Sequence, residues 1–135
     1  MSSDASWPLQ KAVFDRLVAD PVLSGLITGV YDHVPQSAKY PYITLGGSSV
    51  MDWSTKTYKG QDHRFELHIW SSKSGHKEIK LLQEAVKSAL DDVDLVLDGH
   101  DLVLLRFEFG QLLFEQSGPL YHAVNRFRAL TCPHL

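Results

Sequence analysis

The chain carries a single cysteine, Cys132, which excludes an internal disulfide and a multi-cysteine zinc site. It has no apolar run near the roughly 20 residues that a membrane-spanning helix needs. Met1 to Ser6 has neither a basic n-region nor an apolar h-region, so no secretory leader is expected. Excess positive charge is missing too. The formal net charge is -3, which gives no support to a general nucleic-acid binder. There is no linker, repeat or low-complexity stretch.

What is present is an ordinary globular composition, with 44% hydrophobic and 21% charged residues. A length of 135 residues suits a single domain spanning 1–135. Such a chain buries about two-thirds of its extended surface, enough for its own core.

Periodicity divides the chain into helices and strands. Leu9, Val13 and Leu17 predict a helix over about Trp7 to Ala19, with Ser6 able to cap it. Asp20-Pro21 ends that helix. Val22 to Ile27 reads as one short turn, and Thr28 to Tyr40 as loop with a short extended piece at Val30-Tyr31. A strand follows over Tyr42 to Val50, its start marked by Pro41. His63 to Ser71 alternates cleanly, Phe65, Leu67 and Ile69 against Arg64, Glu66 and His68. Asp52 to Gln61 joins the two as a long hairpin arm. Its polar residues offer little to bury, so it is expected to be mobile until docked.

The second helix runs from about Gly75 to Leu90, with Ile79, Leu82, Val86 and Ala89 on one side. An acidic connection, Asp91 to Gly99, leads into a strand over Leu102 to Glu115. There Val103, Leu105, Phe107 and Phe109 are placed on one face and Arg106 and Glu108 on the other. Gly118-Pro119 turns the chain into a last strand, Tyr121 to Thr131. Ala123, Phe127 and Ala129 point inward; His122, Arg126 and Arg128 point outward. The order α-β-β-α-β-β predicts an α+β two-layer sandwich: a four-stranded mixed or antiparallel sheet with two helices on one face. The other face collects Arg64, Glu66, His68, Arg106, Glu108, Arg126 and Arg128. It is too polar for core and is either wetted or covered by another protein.

Recognisable chemistry is scarce. His63 and His68 lie five apart on a strand and point to opposite faces. His33, His76, His100, His122 and His134 fall in other elements or loops, and no H-x-x-x-H or H-E-x-x-H spacing occurs. Gly46-Gly47-Ser48-Ser49 lacks the closing glycine of a nucleophile elbow and reads as a turn or bulge ending a strand. Phosphate-cradling glycine motifs are absent. Asp91, Asp92, Asp94, Asp98 and Asp101 lack the ligand order of a calcium loop and read as a solvated connection. No catalytic residue, metal or cofactor is expected. The features left over are aromatics in polar surroundings, Trp53 and Tyr58 in the arm and Trp70 at a strand end. Aromatics in such places serve as interface anchors.

Two segments carry a resemblance. Val30-Tyr31-Asp32-His33-Val34-Pro35 followed by Tyr40-Pro41-Tyr42-Ile43-Thr44-Leu45-Gly46 is the first; His68-Ile69-Trp70-Ser71-Ser72 with Gly75 and its helix is the second. Together with the closing pair of long strands, they resemble the tail terminator (tail completion) proteins of long-tailed phages and gene transfer agents. The resemblance extends over roughly Val13 to Thr131. It implies a structural virion protein at the head–tail junction, made in the cytoplasm of the producing bacterium. In that family a hexameric ring caps the tail tube, ends tube polymerisation and joins the head connector, with DNA passing through the ring. The implied partners are further copies of the chain, the major tail tube protein and a head-side stopper or connector protein, with no membrane and no sequence-specific DNA binding. The resemblance brings no catalytic residues.

A cyclic ring needs two different contact patches per protomer. The candidates are the arm with Trp53, Tyr58 and Trp70, and the charged face with Arg64, Arg106, Arg126 and Arg128. The acidic stretch from Asp91 to Asp101 is assigned to the lumen or a ring rim. Competing readings are another neck component (a stopper or connector), a small enzyme using His68 with Glu66 or Glu108, and a monomeric ligand-binding module.

Overall fold

The computed structural model describes residues 4–113 and 120–134. In chain order the elements are α1 (Ser6–Ala19), α2 (Pro21–Ser24), β1 (Val30–Tyr31), β2 (Tyr42–Asp52), β3 (Gln61–Ser71), α3 (Lys77–Leu90), β4 (His100–Leu113) and β5 (Tyr121–Pro133). The expected end of β4 at Glu115 and the Gly118-Pro119 turn lie outside the described residues.

The α+β class and the single helical layer hold, but the layout is larger than expected. The sheet has five strands in the order β1-β2-β3-β5-β4. The extra strand is the Val30-Tyr31 piece, which pairs in parallel with Ile43 and Thr44 of β2. A third helix, α2, is a single turn whose amides at Val22 and Leu23 donate to the Asp20 carboxylate. Ser6 does not cap α1. It forms the first residue of the helix, and its amide donates to Asp4 Oδ1 instead.

β3 and β5 pair antiparallel along their whole length, Gln61 opposite Thr131 through Ser71 opposite Tyr121. That central pair joins the two hairpins. The core lies between this sheet and the helices. Leu9, Val13 and Leu17 of α1 and Ile79, Leu82 and Val86 of α3 pack on Ile43, Leu67, Ile69, Leu105 and Phe127. Each such aliphatic or aromatic side chain contributes about 1.5–3 kcal/mol by leaving water. One polar residue sits among them. Asn125, 1% exposed, donates to the Gln83 carbonyl of α3 at 3.0 Å and accepts from the Gln83 amide at 3.2 Å. A buried amide needs such partners, and here they fix α3 against β5.

Two bulges overturn the expected facing of β4. The ladder shifts between Leu102 and Leu104 and again between Phe107 and Phe109. Each inserts one residue and reverses the alternation beyond it. Val103, expected inward, is 53% exposed. Phe109, also expected inward, stands on the outer face with the Arg126 guanidinium 5.0 Å over its ring. Leu105 and Phe107 keep their inward positions.

Candidate functional site

The outer sheet face, which the helices do not cover, divides into a charged centre and an aromatic end. At the centre Arg64 lies opposite Arg128, and Arg128 opposite Arg106. Like charges directly across a sheet repel, so each guanidinium has been given a carboxylate. Arg128 grips Asp62 with two bonds, of 3.1 and 2.9 Å. Arg64 reaches Asp62 at 3.1 Å and Glu108 at 3.2 Å. Arg126 donates to Glu108 at 2.9 Å. The bulge aims both Glu108 and Phe109 at Arg126. Arg106 approaches Asp91 at 3.8 Å. The Arg128 hydrogen bonds hold the Asp62 carboxyl below the usual carboxylate range. The face thus sets four guanidiniums against three partner carboxylates, with Asp62 and Glu108 each shared by two arginines.

The aromatic end brings the two resemblance-bearing segments together. Tyr42 pairs across with Trp70, and Trp70 with His122. Tyr31 and Tyr40 pack on Tyr42 at ring separations of 5.7 and 5.0 Å. Trp70 stacks on His122 at 3.7 Å and donates from its indole to Thr44 at 3.1 Å. His68 Nδ1 lies 2.6 Å from His122 Nε2, and its other ring nitrogen lies 3.2 Å from Glu66. Gly46 makes room for this cluster: a Cβ there would collide with the His68 ring. Sequence reasoning missed the cluster, because only the β3–β5 pairing sets His122 beside Trp70 and His68.

The remaining sequence-derived candidates separate. Trp53 and Tyr58 pack edge to face on each other at 5.9 Å in the arm. The arm is drawn in by bonds from the Trp53 amide to Gly60 and from Thr55 to Tyr58. Of the aspartates, Asp91 turns toward β4, accepting from the Phe107 amide at 2.8 Å. Asp101 lies on the outer face, 3.0 Å from His134. Asp92, Asp94 and Asp98 are exposed along the connection. The sheet therefore gathers Arg64, Arg106, Arg126 and Arg128, and holds Trp70 apart from Trp53 and Tyr58.

His63 falls on the core face, as its parity requires. Its ring is 2.9 Å from Thr131 Oγ1, and burial pushes its pKa down. It lines a cleft between α1 and the bulged part of β2 with room of about 100 Å³. Pockets for drug-sized ligands usually offer about 300–1,000 Å³, so this cleft is smaller than that class. Among the described residues no cluster of three or more His, Cys, Asp or Glu side chains can hold a metal. No helix there is long and apolar enough to cross a membrane.

Comparison with known proteins agrees with this surface-dominated picture. Residues 11–132 match the family model for tail completion protein gp17. A curated relative, "Tail completion protein gp17" of Bacillus phage SPP1, is 24% identical over 124 residues, covering 92% of each chain. A chain solved in "Virion of native gene transfer agent (GTA) particle" superposes with a TM-score of 0.89 at 34% identity. That match covers 97% of this chain and 99% of the other. The class that emerges is a structural protein of phage-type tails. Within that class, the chain belongs to the tail completion protein gp17 family.

Proposed function

We propose that this chain is a tail terminator that closes with copies of itself, six to the ring, at the head-proximal end of a tail tube. The ring ends tube polymerisation and joins the tail to the head connector, and DNA passes through its opening. In this reading the partners are the major tail tube protein and a head-side stopper or connector protein. The chain acts in the particle at the head–tail junction, after assembly in the producing cell. It works by shape and contact, with no catalytic step and no cofactor. The single observation that carries the reading is its near full-length likeness to a chain solved inside a gene transfer agent virion, together with the family match.

The geometry fits the role. The guanidiniums of the outer face are paired with carboxylates. Unpaired, they would hold DNA by its phosphates. Trp53 and Tyr58 of the arm, Trp70, and Arg64, Arg106, Arg126 and Arg128 are contact positions in this proposal. Deleting the gene in a producing strain tests the function. Overlong or head-free tails are expected; normal-length tails on heads that leak DNA would instead identify a stopper.

A further inference from the structure

Two surfaces at opposite ends of α3 remain without a role, and they complement each other. At the N-terminal end lies a groove of about 270 Å³, lined by Leu26, Leu81 and Leu82 with Lys73 and Lys77 beside them. Leu26 and Leu81 are 44% and 55% exposed. Contiguous apolar surface with a polar border marks a contact site. The groove's acid, Glu78, accepts from the Ser71 hydroxyl at 2.6 Å and keeps its charge, so two lysines against one carboxylate leave the groove with a formal charge of +1.

Beyond the C-terminal end of α3 the chain alternates. Val93, Leu95 and Leu97 pack on the core, while Asp92, Asp94, Val96 and Asp98 face outward. Val96 is 96% exposed, an apolar knob in a row of carboxylates. From Leu82 at the groove, α3 runs eight more residues to Leu90, about 12 Å at 1.5 Å per residue. Lys73 follows the end of β3 that pairs with Tyr121, whereas Leu97 bridges His100, opposite Pro133 at the other end of the sheet. Knob and groove cannot meet within one molecule.

We infer that Val96 of one copy seats in the Leu26–Leu81–Leu82 groove of the next copy, with Asp94 and Asp98 facing Lys73 and Lys77. The occupant is a second copy of this chain because the two surfaces match in both apolar character and charge. Neither surface matches itself: two acidic rows repel, and so do two lysine borders. That combination disfavours two-fold pairing and favours the head-to-tail contact from which rings close. The inference rests on the ring reading above and names its contact. It also takes Asp92, Asp94 and Asp98 from the lumen to the joint between protomers.

The test uses particles carrying the full chain with Cys132→Ser. Val96→Cys combined with Leu81→Cys is expected to give a ladder of covalent multimers on mild oxidation, and either cysteine alone is expected to stay monomeric. Asp94→Lys with Asp98→Lys should lower incorporation about tenfold or more, as should Lys73→Glu with Lys77→Glu. All four changes in one chain should restore it. If multiple copies are present at the junction but no ladder forms and every charge variant incorporates normally, the contact is overturned and the ring stands. If the unaltered chain is missing from the junction, or present there as one copy, the ring fails and this contact with it.

Discussion

Asn125 offers the sharpest test of how α3 is held, and α3 lines the groove of the inferred contact and leads into the connection that bears its knob. Asn125→Ala removes two hydrogen bonds to Gln83 and leaves a gap at a position 1% exposed. Each such bond is worth about 1 kcal/mol net, so the expected loss is about 2 kcal/mol. An unfolding entropy of roughly 2.1 cal/mol/K per residue over this chain converts that to a Tm drop of about 7 °C. Asn125→Asp keeps the shape but sets a carboxylate oxygen against the Gln83 carbonyl. Burial raises the pKa of the introduced carboxyl in the folded state, so the unfolded chain binds fewer protons and the penalty grows as pH rises. The penalty should be least below about pH 4, where the acid form can donate to Gln83, and exceed that of the alanine variant at pH 7. Urea unfolding of the three chains between pH 4 and 7.5 measures it. A cost under about 0.5 kcal/mol for Asn125→Ala, or a pH-independent penalty for Asn125→Asp, would refute the reasoning.

Asp62→Asn should lower the Tm, more at low salt than high, because Arg64 and Arg128 then face each other without their shared carboxylate. Since the folded-state pKa of Asp62 is depressed, its contribution is present above about pH 4. It fades as pH falls through the folded value, and thermal melts should show the two chains converging there. His63 is also depressed, by burial, so the fold loses stability as pH drops below about 6.5. His63→Gln should flatten that part of the pH profile measured by urea unfolding. Gly46→Val would drive a side chain into the His68 ring. NMR of the imidazole protons should show His68 leaving His122, whereas unchanged His68 and His122 signals would contradict the packing described.

Much of the fold was legible because hydrophobic period maps onto facing. The α1 stripe and α3 stripe, the inward set of β3 and the charged outer set all follow from spacing alone. The misses have local causes. Val30-Tyr31 is too short to show a period, so its parallel pairing with β2 adds a strand that alternation cannot announce. Val103 and Phe109 face outward because single-residue bulges reverse parity. Asp4 rather than Ser6 meets the first amide of α1, that of Ser6, a shift of two residues that capping preference does not resolve.

The candidate surface was legible in kind and not in arrangement. Arg64, Arg106, Arg126 and Arg128 were placed on one face by parity, and they are there. Their carboxylate partners depend on strand order, which no pattern within a strand reveals. The same holds for Trp70: it reads as a lone aromatic on a polar face, yet the β3–β5 register stacks it on His122. The acidic run looked like one feature. It divides because alternate residues, Val93, Leu95 and Leu97, anchor it to the core and present only Asp92, Asp94, Val96 and Asp98. A distinction between exposed and engaged carboxylates needs the packing, not the composition.

The central claim is that this chain acts as a ring of copies around the DNA path where a tail meets its head. Imaging of intact particles by cryo-electron microscopy, at a resolution sufficient to trace the sheet, tests it most directly. The expected density is six copies around an open channel at the end of the tube, each protomer's Val96 meeting its neighbour's Leu81. A neck built without this chain, or with the chain elsewhere on the particle, would contradict the account.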